Sequence, residues 1–266
     1  MRKLQIITTA LIFMLVTASC ANGASENNAK QQEAVEIKKA ENNIVSVDHS
    51  VFDKLLKANV SDKGIVDYKA FVKDKVALQN YIKSLTQVNT AKLNKNERTA
   101  FWINAYNALT IDQIVKHYPV TSITKIAGGK VWDQALPYKF DGKSLTLNDI
   151  EKKILLGTEL FDARIHFAVN CAAVSCPTLI NKAYTGSNVQ EMLTKNTKSA
   201  LSNPAFNKIS SKSASISKLF DWYKADFVKA EGSVVNFINK YSAIKINNQT
   251  KIDYLAYNWS LNGIRN

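Results

Sequence analysis

The sequence predicts an α+β fold: a single mostly helical domain with a small antiparallel β element. Three observations predict it. Apolar residues recur at helical spacing through the first half of the folded part. Asp141-Gly142, between Lys139-Phe140 and Ser144-Leu145, is a hairpin signal. Strand character returns only towards the C-terminus, so helices and strands are segregated rather than strictly alternating.

Val51, Leu55, Leu56 and Val60 mark a first helix, which Gly64 closes. Phe71, Val72, Leu78, Tyr81, Ile82 and Leu85 predict a second amphipathic helix. Asn94, with Glu97 three residues on, is a cap-type start for a third. It runs through Phe101, Ile103, Leu109 and Ile114 to about His117, and Pro119 stops it. After the hairpin, Thr146 or Asn148 caps a short helix over 149–156. His166 to Asn170 reads as a buried strand or the start of an apolar helix. Residues 187–202 are helical again, and Ile209 to Ile216 alternates as two short strands or one bent one. Residues 218–241 read as helical pieces interrupted at Gly232, and Ile244 to Leu255 has strand character around Asn247-Asn248.

No composition break or repeat divides residues 44–266, which predicts one domain within the 266-residue chain. Residues 20–43 are small, polar and charged, and are expected to form a flexible tether. Ahead of them, Arg2 and Lys3 precede an apolar run from Leu4 to Val16, then Thr17, Ala18 and Ser19. That is the pattern of a secretory signal over residues 1–19, with an apolar run shorter than the roughly 20 residues that span a bilayer. Cys20 follows directly, as in the lipobox of bacterial lipoproteins, which this stretch resembles. The resemblance implies lipidation at Cys20. The expected location is the bacterial cell envelope, outside the cytoplasm, with the membrane held as a partner through the lipid.

There are 35 Lys+Arg against 22 Asp+Glu, a formal net charge of +13. The lysines are scattered, with no Arg-rich stripe and interleaved aromatics, so no nucleic-acid partner is expected. No P-loop, G-x-G-x-x-G or G-x-S-x-G is present, and no cofactor is expected. Three cysteines do not make a disulfide framework.

Two segments hold the chemistry. Residues 101–107 read Phe-Trp-Ile-Asn-Ala-Tyr-Asn. On a helix Asn104 and Asn107 share a face, where two amides can orient a ligand or donate to an oxyanion. The plainer reading is that they hydrogen-bond a neighbouring loop. Residues 162–177 hold His166, Cys171 and Cys176 within a few residues of each other. One reading is a cysteine nucleophile activated by His166, by a helix starting near Cys171, and by a third residue such as Asn258 that orients the imidazole. A second is a Cys171–Cys176 disulfide, and a third, ranked lowest, is a metal site; no metal is expected. The plainest is two buried cysteines and a core histidine. His49 and His117 read as structural or surface residues. Asp221, Trp222, Tyr223, Asp226 and Phe227 read first as an aromatic-acidic segment that packs its rings and caps the following turn, with a functional role as the weaker reading.

Phe101 to Asn107 resembles the F-W-I-N-x-Y-N signature of the DUF547 family. Arg164 to Cys171, with Ser175-Cys176-Pro177, resembles that family's R-I-H-F-A-x-x-C…S-C-P signature. Further matches are Gly64 to Tyr68, Tyr118-Pro119, Leu147 to Glu151, Trp222 to Phe227 and Tyr257 to Asn262. Asn258 stands where the family pattern has Asp. The resemblance implies exported bacterial relatives, or parts of larger plant and animal proteins, and names no activity.

The expected function is a cysteine-dependent hydrolase or acyltransferase, with Cys171 as nucleophile, His166 as base, and Cys176 and Asn258 as further catalytic candidates. Trp102, Asn104, Tyr106, Asn107 and Arg164 are the candidate substrate-binding residues. The alternative is a non-catalytic envelope module that binds a peptide, glycan or protein.

Overall fold

The computed structural model describes residues 45–263. The expected signal, tether and lipidated Cys20 lie outside the described residues. Among those described, no helix is long and apolar enough to cross a membrane.

The helical half is built as the periodicity dictates. α1 (Ser50–Asn59) turns Phe52, Leu55, Leu56 and Asn59 inward. The single second helix expected over residues 71–85 is two: α2 (Tyr68–Lys73) and α3 (Lys75–Leu85). Asp74 makes the break, ending one helix and starting the next. Its carboxylate accepts from Asn59 Nδ2 at 2.8 Å, which ties the corner to α1. α4 (Lys95–Lys116) starts on Asn94, whose side chain accepts from the Glu97 N–H at 3.0 Å, and stops at His117. Every residue of α4 from Thr99 to Asp112 is buried. A helix covered on all faces must be the centre of its layer, and α2, α3 and the segments 149–155 and 189–202 pack around it.

β1 (Lys139–Phe140) and β2 (Lys143–Ser144) form the expected antiparallel hairpin. Asp141 and Gly142 take φ of 49° and 74°, the left-handed pair that a two-residue turn needs. Thr146 and Asp149 then bond reciprocally at 2.9–3.0 Å and open a wide helical segment, Asp149–Leu155. Ala163–Phe167 is a 3-10 turn, so His166 to Asn170 is neither the strand nor the helix its sequence suggested. α5 (Val189–Ser202) follows.

The last third carries β3 (Lys208–Ile209), β4 (Ser213–Ile216), α6 (Leu219–Trp222), α7 (Lys224–Glu231), α8 (Val234–Tyr241) and β5 (Lys251–Tyr254). Gly232 separates α7 from α8 with a φ of 76°, a left-handed helix stop. β3 and β4 pair antiparallel, but β5 lies parallel to β4, with Ala214 opposite Ile252. That departs from a purely antiparallel element. The reason is the connection: α6, α7 and α8 carry the chain away and back, the long crossover that parallel pairing requires.

Two hydrophobic clusters result. The larger surrounds α4, and the smaller gathers Phe167, Phe220, Phe227 and Phe237 with Ile216 and Ile238. The turn at 163–167 feeds both, with Ile165 in the larger and Phe167 in the smaller. His166 therefore stands at the seam.

Candidate active site

Beside that seam opens a cleft of about 260 Å³. Its wall includes His166, Cys171, Cys176, Glu151, Tyr106, Tyr223 and Tyr257. Cys171 and Cys176 lie on an irregular loop, not on a helix, so no helix N-terminus supports the thiol. The loop is fixed from three sides. Asn107 donates to the Ala168 carbonyl at 3.0 Å and accepts from the Asn170 N–H at 2.8 Å. Asn170 donates to the Pro177 carbonyl at 2.7 Å and accepts from the Ala172 N–H at 2.9 Å. The C-terminal stretch runs alongside: the Val174 N–H donates to the Ser260 carbonyl at 2.8 Å and the Asn262 N–H to the Ala172 carbonyl at 3.1 Å. Ala172 is held at a φ of 62°, a strained conformation for a residue with a Cβ.

Both cysteines are free thiols. The Cys171 N–H donates to Cys176 Sγ at 3.0 Å, and Cys171 Sγ is 3.2 Å from the Tyr257 hydroxyl. The Cys171 thiol is drawn below the ordinary thiol range, first by its hydrogen bond with Cys176. The Tyr257 hydroxyl and the Ala173 N–H add to this, against burial and the Glu151 charge. Burial and the neighbouring Cys171 hold the Cys176 thiol well above that range. Cys171 is also the more exposed of the two. The pair is thus divided into one sulfur suited to carry charge and one that keeps its proton.

His166 Nε2 meets Asp226 Oδ2 at 2.9 Å, and its ring packs on those of Tyr223 (centroids 4.1 Å apart) and Phe227 (5.3 Å). Its Nδ1 has no hydrogen-bond partner among the described residues. His166 and Cys171 share the cleft wall without a direct hydrogen bond. Glu151, buried, accepts from the Tyr106 and Tyr223 hydroxyls, each at 2.8 Å. Burial, then the Glu151 charge, pushes both phenols up, so they stay donors. Across the mouth, Trp132, Trp222, Tyr257 and Trp259 form a continuous aromatic wall, with neighbouring centroids 4.6–5.9 Å apart.

The structure brings together His166, Cys171, Cys176 and Tyr106 among the residues singled out in the sequence. Asn104 is elsewhere: its amide exchanges hydrogen bonds with the backbone of Tyr184 at 2.8 and 3.0 Å. Asn104 and Asn107 both therefore spend their amides on loops. Trp102 is buried against Phe101 and Phe140. Arg164 is bound to Asp162, Gln190 and Thr194, away from the cleft. Asn258 turns its side chain to the Ser260 N–H at 2.9 Å, and the residue on the imidazole is Asp226. Asp226, Tyr223 and Trp222, whose sequence reads first as packing and capping, stand at the site, and residue types alone do not single out Glu151, Tyr257, Trp132 or Trp259. The available signal was position: Glu151, Asp226 and Tyr257 fall inside short segments already marked by resemblance. No cluster of three or more His, Cys, Asp or Glu among the described residues is placed to hold a metal.

No curated protein and no solved structure matches this chain. Residues 90–199, from the turn before α4 into the last turn of α5, match the family model described as "Protein of unknown function, DUF547". That span holds α4, Glu151, His166 and both thiols of the cleft, and a DUF547 domain is therefore present in this chain.

Proposed function

We propose that the cleft is a thiol-dependent acyl-transfer site, a hydrolase or acyltransferase, with Cys171 as nucleophile and His166 as its acid and base. The observation that carries this reading is a partly exposed thiol drawn low in the same cleft as an imidazole hydrogen-bonded to Asp226. Asp226 on Nε2 fixes the ring's orientation, leaving Nδ1 for the reacting groups. Cys171 gives its S–H proton to His166, its sulfur forms a bond to the acyl carbon, and the carbonyl π pair moves to oxygen. As the intermediate collapses, the leaving group departs with a proton from His166. Water or a second nucleophile then breaks the thioester and returns a proton to His166.

The first measurement is iodoacetamide alkylation of residues 44–266 across pH, read by mass spectrometry. Cys171 is expected to react fast near neutral pH and to slow in His166→Ala. An unreactive Cys171, or a Cys171–Cys176 bridge in active protein, removes the reading. The aromatic wall favours a second one, a non-catalytic module for a peptide, glycan or protein; under it Cys171→Ser binds its ligand as tightly as the wild type.

We also infer export to the bacterial cell envelope and attachment to a membrane through lipid on Cys20. The support is the order of residues 1–20: positive, apolar, small, then cysteine. Labelled palmitate should enter the protein and be absent from Cys20→Ala.

A further inference from the structure

An acyl-transfer site needs donors aimed at the oxygen that gains charge. The amides of Asn104 and Asn107, the sequence candidates for that task, are consumed by backbone. The remaining donors around Cys171 can be followed one by one. The Tyr106 and Tyr223 hydroxyls are held by Glu151. Asn170 Nδ2 is held by the Pro177 carbonyl. The N–H of Cys171 goes to Cys176 Sγ, that of Ala172 to Asn170 Oδ1, and that of Cys176 to the Ala173 carbonyl. The N–H groups of Val174 and Ser175 go to Ser260 and Asn258. The Tyr257 hydroxyl lies 3.2 Å from the Cys171 sulfur and is shared among the described residues only with the Cys176 sulfur, and the Ala173 N–H supports the same Cys171 sulfur.

We propose that the Tyr257 hydroxyl, with the Ala173 N–H, is the oxyanion donor of this cleft. The inference rests on the acyl-transfer reading above. In the resting site both donors hold the charge on sulfur. When sulfur bonds to the acyl carbon, the charge passes to an oxygen one bond further on, and donors already aimed at the sulfur need to swing only slightly to follow it. Tyr257 is suited to the task on two further counts. Burial and the nearby thiols push its phenol far above its ordinary value, so it stays a donor throughout the working pH range. Its ring is packed against both Trp222 and Trp259, at 4.8 and 4.6 Å, which fixes the hydroxyl in place before substrate arrives.

The test is Tyr257→Phe, which removes one oxygen and keeps the ring in the wall. Two readouts are taken on residues 44–266. The pH midpoint of Cys171 alkylation by iodoacetamide should rise by about one unit, as loss of a charge-assisted hydrogen bond requires. Acylation of Cys171 by p-nitrophenyl acetate should slow by about 10²-fold, with little change in KM. A residue that only packs would move neither. Tyr257→Trp, which fills the space but cannot reach with a hydroxyl, should show the same two losses. An unchanged midpoint and acylation rate in both variants overturns the proposal. Wild type that alkylates readily but is never acylated overturns the acyl-transfer reading and the oxyanion role with it. A raised midpoint in that case still identifies Tyr257 as the donor to the thiolate.

Discussion

Two groups of four aromatic rings among the described residues are opposites. Phe167, Phe220, Phe227 and Phe237 are at most 1% exposed, and pack with centroids 4.6–6.2 Å apart. Trp132, Trp222, Tyr257 and Trp259 touch at similar distances, yet Trp222 is 47% exposed. The four sealed rings are all phenylalanine and carry no polar atom of their own to satisfy. The open one uses only rings with a polar handle, and one of those handles is on the Cys171 sulfur. Ring contacts alone do not separate core from site; exposure and the fate of the polar atoms do. Changes in the sealed interior should therefore be read as lost stability, and changes in the wall as lost reactivity or binding.

The comparison breaks first on Phe227→Ala. Emptying the centre of the sealed cluster should cost about 3–5 kcal/mol in denaturant unfolding. It should also loosen His166, whose ring rests on Phe227. A smaller loss comes from acid. His49 is buried, with Nδ1 on the Tyr81 hydroxyl at 2.7 Å, and burial pushes its pKa down to about 4 from 6.5. The unfolded chain takes up the proton first, so this stability is complete above pH 6.5 and is lost as pH falls towards 4. The loss should approach about 3 kcal/mol and shrink in His49→Gln. Asn104→Ala should cost roughly 2 kcal/mol, because the Tyr184 N–H and carbonyl lose their partner. It should leave the alkylation midpoint of Cys171 where it is; a shifted midpoint would return Asn104 to the site. Smallest of all, Trp222→Ala should change stability by under about 1 kcal/mol. Its effect should appear instead in ligand or substrate affinity, and a large loss of stability there would erase the distinction between the clusters.

What the sequence made legible is local. The Asn94 cap, the Asp141-Gly142 turn and the Gly232 stop each depend on a few adjacent residues, and each is where the sequence put it. The break at Asp74 was hidden because apolar residues continue across it, and its cause is a tertiary bond to Asn59. The parallel seat of β5 was hidden because a strand pattern carries no partner or direction. The site divides the same way. His166, Cys171 and Cys176 stand close together in the chain, so their density was visible. Asp226 comes 60 residues after His166, and Tyr257 comes 86 after Cys171. No periodicity reports a pairing over such a distance.

The stretch from Tyr257 to Asn262 lies against the cysteine loop and gives Cys171 its hydroxyl partner. A ribosome delivers these residues well after Cys171. Until they arrive, the thiol has been made but its setting has not. A chain still being synthesised, or cut short before Tyr257, would carry Cys171 as an ordinary sulfhydryl on an unbraced loop. Arrival of this stretch would then be the step that switches the sulfur on.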